Sequence, residues 1–365
     1  MSDLCVEFGI SRKTGHKLWK RYQKEGPEGL YDRSRAPLRP HRRTPDEVRE
    51  LVFEVKKAHP SWGANKVRAY LLRRHPGVKV PAGSTIHAWF EAKGLVKRRL
   101  RRSRVPPRTQ PLAEATEPNR LWCADFKGQF RLKTGRYCYP LTITDAFSRK
   151  ILACVGLENT KTPGSRLVFE ETFVKWGLPE AIRTDNGAPF ASRGLLGMSQ
   201  LSAWWRRLGI EHERITPGKP QQNGSHERMH LTLKQECTRP VGDNILHQQE
   251  MFDRFVDVFN QERPHEALDN DVPDDRYRRS ERELPEELPD LKYPTHDLVL
   301  RVDSYGHIDM PGRPKGARKV YISSILVGEC IGVREMEGDR WRTDWMDLTL
   351  GDIDMTTRRL EDARE

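Results

Sequence analysis

Three acidic residues sit where a carboxylate needs a reason to be. Asp125 lies inside the apolar run Leu121-Trp122-Cys123-Ala124-Asp125-Phe126, where a charge is costly to bury unless a cation compensates it. Asp185 ends a short strand-like run in Thr184-Asp185-Asn186-Gly187, with Gly187 expected to let the backbone turn sharply. Glu227 falls early in a helical stretch, after the turn-forming Gln222-Asn223-Gly224. Taken singly, each has an ordinary reading: a salt-bridged strand aspartate, a turn, a solvated helix face. Together they offer three hard oxygen ligands on separate rigid elements, a set that suits Mg²⁺, with Mn²⁺ as a substitute. Two such ions about 4 Å apart can activate an attacking oxygen and stabilise the departing one in an in-line displacement at phosphorus. Glu211 and Glu213 are alternatives for the third ligand, but they lie in a strand-like run without the Asn-Gly turn, so Glu227 is preferred.

The elements that must position these residues begin near Asn119. LWCADFKGQFRL, RYCYPLTITDAFS and KILACVGLEN are β-rich runs joined by short connections, which predicts an antiparallel meander. An amphipathic helix (PGSRLVFEETFVKWG), the strand AIRTDNG, the helix SQLSAWWRRLG, the strand EHERIT and the helix QQNGSHERMHLTLKQEC follow. A helical crossover before the fourth strand lets it lie parallel to the first, which brings Asp125 and Asp185 to one site. This α/β core is expected to span residues 119–280 and to finish with a long helix over 246–268. His265, after Pro264, is read there as a packing or capping histidine. An acidic, proline-containing linker (281–297) leads to short glycine-punctuated strands over 298–352 that predict a small β-barrel. The closing residues, 353–365, are expected to be a frayed tail.

The charge lies in front of that core. Residues 1–120 hold 28 Lys and Arg against 12 Asp and Glu, so the net charge of +12 arises wholly in the first third. A basic segment of this kind is the footprint of a polyanion binder. Residues 1–30 read as a helix-turn-helix in which Ser11 caps a second helix that stops at Gly26-Pro27. That helix carries Arg12, Lys13, Lys17 and Lys20 on its exposed side, where they can meet bases and phosphates in a major groove. The chain opens inside the first recognisable element, which is read as a late start or a truncated unit. A basic linker (31–43) precedes a second three-helix DNA-binding module (44–96). Residues 97–118 form a basic arm with Arg98, Arg99, Arg101 and Arg102 placed to track a phosphate backbone. The six cysteines form no C-x-x-C pair and read as buried reduced thiols. No apolar run is long enough for a membrane span, and no signal peptide is visible.

Trp122-Cys123-Ala124-Asp125-Phe126, Thr184-Asp185-Asn186-Gly187, the run from Pro217 to Gly224 followed by Glu227-Arg228, and Asn260-x-x-Arg263-Pro264-His265-x-Ala267-Leu268 resemble the integrase-core transposases of bacterial insertion sequences, relatives of retroviral integrases. The resemblance implies a ribonuclease-H-like catalytic domain with a DDE triad of Asp125, Asp185 and Glu227. It implies metal-dependent cleavage at transposon ends, followed by attack of the freed 3′-hydroxyls on target DNA. Lys219, Asn223, Arg228 and Lys234 become DNA contacts near the site. The partners implied are terminal inverted repeats, target DNA and further copies of the chain on DNA, in the bacterial cytoplasm and on the nucleoid when bound. The interval from Asp185 to Glu227 is longer than the family's, a surplus assigned to the loop ASRGLLGMSQ. No paired-His, paired-Cys zinc module opens the chain. Two other readings stand beside this one: a transposase-derived DNA-binding regulator without activity, and a ribonuclease-H-type nuclease that cuts without joining.

Overall fold

The computed structural model describes residues 1–33, 44–96, 115–192, 194–215, 224–314 and 317–362. Arg98, Arg99, Arg101, Arg102, Lys219 and Asn223 lie outside the described residues. The chain divides into two compact units, residues 1–50 and 51–365.

In the first unit, α1 (Ser2–Glu7) and α2 (Arg12–Glu25) are followed by a 3₁₀ turn over Gly26–Leu30. Ser11 caps α2 through a bond from the Thr14 amide, 3.2 Å, and Gly26 ends it at φ +67°. The helices approach each other through Cys5 and Gly15, where a Cβ on Gly15 would collide with the Cys5 sulfur. Leu4 and Val6 of α1 and Phe8 just after it are exposed. Helix α3 (Asp46–Ala58) begins in this unit and continues into the next.

The second unit opens with the remainder of α3, α4 (Ala64–Arg74) and α5 (Gly83–Ala92). Val52, Val55, Trp62, Val67, Leu71, Ile86 and Phe90 form their common core. Next comes a six-stranded mixed sheet of β1 (Leu121–Phe126), β2 (Phe130–Arg131), β3 (Tyr137–Asp145), β4 (Ile151–Leu157), β5 (Ala181–Thr184) and β6 (Glu211–Arg214). Its order is β2-β3-β1-β5-β6, with β4 also on β3. The crossover helix α6 (Thr162–Trp176) makes β5 parallel to β1, with Cys123 opposite Arg183. Strand alternation then sorts the layers. Trp122, Ala124, Leu141 and Ile143 face α6 and α7 (Gln200–Arg207) in one apolar cluster with Phe169, Phe173 and Trp205. On the other face Cys138, Ile151 and Cys154 pack against Met229 and Leu233 of α8 (Gly224–Cys237) and Phe252 and Phe255 of α9 (Ile245–Asp257). The expected long helix over 246–268 is shorter than that. It closes with a π-helical turn over Val258–Glu262, and Arg263-Pro264 leads into a 3₁₀ turn at Glu266–Leu268. A helical proline lacks the N–H and crowds the carbonyl four residues back, so the helix cannot run through it.

After α10 (Pro273–Arg276), the acidic segment is irregular but docked. Leu284 and Leu288 pack on the sheet's core, Leu291 on the C-terminal one, and Arg282 donates to the carbonyls of Pro179, Leu208 and Gly209. The C-terminal strands are β7 (Leu298–Arg301), β8 (His307–Asp309), β9 (Lys319–Tyr321), β10 (Cys330–Met336), β11 (Arg340–Trp345), β12 (Leu348–Asp354) and β13 (Arg359–Asp362). They form one curled, barrel-like sheet ordered β7-β10-β11-β12-β13-β9-β8, whose two edge strands approach each other. The expected frayed tail therefore holds a strand: β13 pairs with β12 and β9, and Leu360 joins the core. The surplus loop between Asp185 and Glu227 also docks here, with Leu195 inside the C-terminal cluster. All six cysteines are free, and five are buried. No helix among the described residues is long and apolar enough to cross a membrane.

Candidate functional site

Asp125 is the fifth residue of β1, so it shares a face with Cys123 and points to the α8 side of the sheet. Its register partner on β3 is Thr142, whose hydroxyl donates to the Asp125 carbonyl oxygen at 3.0 Å. Asp185 follows β5, the parallel neighbour of β1. The chain bends sharply at Asn186-Gly187, as expected, without Gly187 entering the left-handed region. The Gly187 amide donates to Asp185 Oδ1 at 3.1 Å, and a Cβ on it would crowd that carboxylate, so the glycine serves a close approach. Glu227 stands in the first turn of α8, on its exposed side.

Asp125 feels the other two carboxylates. Burial raises the Asp125 pKa to about 7, and the charge of Asp185, then that of Glu227, pushes it the same way. The Asp125 side chain is only 24% exposed. Lys127, two residues on, has its own pKa lowered by burial and then by the like charge of Lys234. A half-buried acidic group pressed by two other acids, with the Phe126 amide and Lys127 offsetting them only in part, fits a divalent cation, which would relieve the remaining repulsion.

Sequence reasoning missed two histidines at the centre of this arrangement. His226 and His230, one helical turn apart on α8, turn inward against β3. Thr142 Oγ1 lies 2.8 Å from His226 Nε2 and 2.7 Å from His230 Nε2, and Thr144 Oγ1 lies 2.8 Å from His226 Nδ1. His230 Nδ1 is 3.7 Å from Asp125 Oδ2. Ligand atoms of Asp125, His226 and His230 fall within 4.8 Å of one another. Burial lowers the pKa of His226 to about 3 and of His230 to about 2, so both rings are neutral. The signal was present as a four-residue His spacing immediately around Glu227. Lys127, in the run Ala124-Asp125-Phe126-Lys127, was also overlooked.

The basic residues fall into two groups. Arg12, Lys13, Lys17 and Lys20 are all exposed, and at about 100° per residue they occupy one side of α2. Arg228 and Lys234 are exposed on α8. His265 packs its ring edge-on against Phe259, centroids 4.7 Å apart, which is the packing role expected of it.

Known proteins are similar to parts of this chain. One integrase core domain model matches residues 115–220, a second integrase core domain model matches 208–273, and a homeodomain-like domain model matches 14–90. The homeodomain-like match thus runs across both helical groups. The chain is 27% identical over 218 residues, 59% of its length, to an insertion element IS476 uncharacterized 39.2 kDa protein of Xanthomonas euvesicatoria, and spans 60% of that protein. It is 31% identical over 132 residues, 35% of its length, to the Pol polyprotein of feline endogenous virus ECE1, and spans 12% of it. Among solved structures, the HTLV-2 integrase catalytic core domain in complex with magnesium aligns with 45% of this chain and 99% of its own, at 15% identity and TM-score 0.36.

Proposed function

We propose that the chain, which is similar to insertion-element proteins and retroviral polyproteins over its integrase core, is a DNA transposase that cleaves transposon ends and transfers the freed 3′-hydroxyls into target DNA. The observation that supports this most is that β1, the end of β5 and the first turn of α8 bring acidic residues close enough for the charges of Asp185 and Glu227 to act on the buried Asp125. Asp125 and Asp185 hold divalent ions from adjacent parallel strands, and Glu227 closes the set from α8. With two Mg²⁺ ions, or Mn²⁺, the site gains the charge needed to activate an oxygen nucleophile and to stabilise the departing oxygen at phosphorus. Lys127 and Lys234 meet the phosphates beside the reacting one. Arg228, with Lys219 and Asn223, extends that contact.

Arg12, Lys13, Lys17 and Lys20 grip the terminal inverted repeat, and Arg98, Arg99, Arg101 and Arg102 contact its phosphate backbone. Two ends must be joined in concert, so the working form is a homo-oligomer on DNA. The barrel-like C-terminal sheet is a contact surface for DNA or a second copy.

The test is a strand-transfer assay with a labelled duplex bearing a terminal repeat and a 3′-hydroxyl, in Mg²⁺. The wild type is expected to nick the end and join it to a target. Asp125→Asn is expected to bind the end and do neither. Undiminished cleavage by that variant overturns the mechanism. Binding without cleavage by the wild type would make the protein a DNA-binding regulator, and cleavage without joining would make it a nuclease.

A further inference from the structure

Thr142 dictates the protonation of both buried histidines. Its hydroxyl contacts three groups: the Asp125 carbonyl oxygen, His226 Nε2 and His230 Nε2. A hydroxyl carries one proton, and a carbonyl can only accept. The proton therefore goes to Asp125, and both imidazoles donate to Thr142 from Nε2. Each Nδ1 then presents a lone pair. That of His226 is satisfied by the Thr144 hydroxyl at 2.8 Å. That of His230 faces a different partner, Asp125 Oδ2, at 3.7 Å.

Two acceptors that face each other beyond hydrogen-bond reach, with the Asp125 side chain 24% exposed, leave room for a shared cation that can enter from solvent. Bond lengths of about 2.1 Å from one ion to a nitrogen and to an oxygen span 3.7 Å when the ligand–ion–ligand angle is roughly 120°. The separation suits a single shared ion.

We propose that His230 Nδ1 joins Asp125 Oδ2 as a ligand of one divalent ion, giving that position a mixed nitrogen–oxygen donor set. The inference rests on the reading of Asp125, Asp185 and Glu227 as a metal site and adds to it a preference among metals. An imidazole nitrogen favours borderline transition ions over Mg²⁺, which takes oxygen donors. The site beside Asp125 therefore favours first-row transition ions over Mg²⁺, and Mn²⁺, the hardest of them, shows that preference least. His226 is not a ligand, because both of its nitrogens are already bonded to threonines; it holds α8 against β3 and so aims His230.

Mn²⁺ is the probe. The tag-free full chain is titrated with Mn²⁺ alone, free ion being followed by electron paramagnetic resonance, and pulsed measurements then read nitrogen coupling to the bound ion. The wild type is expected to show imidazole coupling. His230→Gln keeps an amide nitrogen near the place of Nε2, so it can still reach Thr142, but offers nothing at Nδ1. It is expected to lose the coupling and to bind Mn²⁺ roughly 10–100-fold more weakly, while Mg²⁺ affinity, measured by competition, moves far less. His230→Asn, which returns an oxygen near Nδ1, is expected to recover binding without the nitrogen signal. His226→Gln is expected to keep the coupling. Absence of nitrogen coupling in the wild type overturns the proposal whatever the variants do, and so does its persistence in His230→Gln. Asp125→Asn separates the two levels. If it binds Mn²⁺ normally, the carboxylate site itself is wrong. If it loses Mn²⁺ while the wild type shows no nitrogen coupling, only the role of His230 falls.

Discussion

The two ends of the β1–β3 ladder each bury an aspartate, and the two are treated in opposite ways. At one end Asp145, opposite Trp122, is wholly buried and fully occupied. Its carboxylate accepts from the Asn119 amide at 2.8 Å, the Ser148 amide at 2.7 Å and the Ser148 hydroxyl at 2.6 Å. Burial raises its pKa, but every one of those bonds pulls the other way. At the other end Asp125, opposite Thr142, is less buried yet worse supported: its strongest neighbour is another acid, Asp185, and the Phe126 amide is the one hydrogen bond that pulls the other way. Burial alone does not mark a functional carboxylate. What separates the two is whether the fold has already supplied the compensating donors.

Activity gives the sharpest contrast. Asp125→Asn is expected to lower end cleavage at least about 1,000-fold, removing a ligand that no other group replaces, while Asp145→Asn lowers it no more than its loss of folded protein explains. Comparable losses per folded molecule would erase the distinction. Stability is expected to run in the reverse order. Asp145→Ala strands buried amides and should cost about 3 kcal/mol in urea unfolding, at roughly 1–3 kcal/mol per orphaned group, whereas Asp125→Asn should stabilise the metal-free protein.

pH sharpens the comparison further. Asp125 keeps its proton more firmly in the folded state (pKa about 7) than when unfolded, at about 3.9. Its contribution is therefore neutral below pH 4 and becomes destabilising as pH rises to 7, in the absence of metal. The advantage of Asp125→Asn over the wild type should grow across that window to the order of a few kcal/mol and then level off; an advantage that is flat with pH would refute the assignment. The smallest effect lies on a rung between the two ends. Thr144→Val removes one bond to His226 and is expected to cost about 1 kcal/mol, read from the urea midpoint, with the Asp125–Asp145 contrast left intact.

Much of this geometry was legible before any coordinates. The crossover helix before Ala181–Thr184 led directly to β5 beside β1, which brings Asp125 and Asp185 together. The histidine–threonine network was not legible, because it depends on register. Thr142 matters only once it is known to stand opposite Asp125, and His230 only once α8 lies across both strands. The ends of elements misled for local reasons. Arg263-Pro264 broke a helix whose apolar spacing seemed to continue, and the charged run Arg359–Asp362 disguised a strand whose one apolar residue, Leu360, reaches the core.

The helices α3–α5 are stitched to the sheet domain by side chains far apart in sequence. Ser61 donates to Glu236 at 2.6 Å, Glu236 also takes Arg263 at 2.9 Å, Lys66 donates to the Pro264 carbonyl at 2.8 Å, and Arg73 pairs with Asp275. Severing the backbone between residues 96 and 115 would therefore not free the helical piece. After such a cut the fragments should elute together from a sizing column at low ionic strength and come apart as salt is raised, since polar clasps of this kind weaken when counterions crowd them.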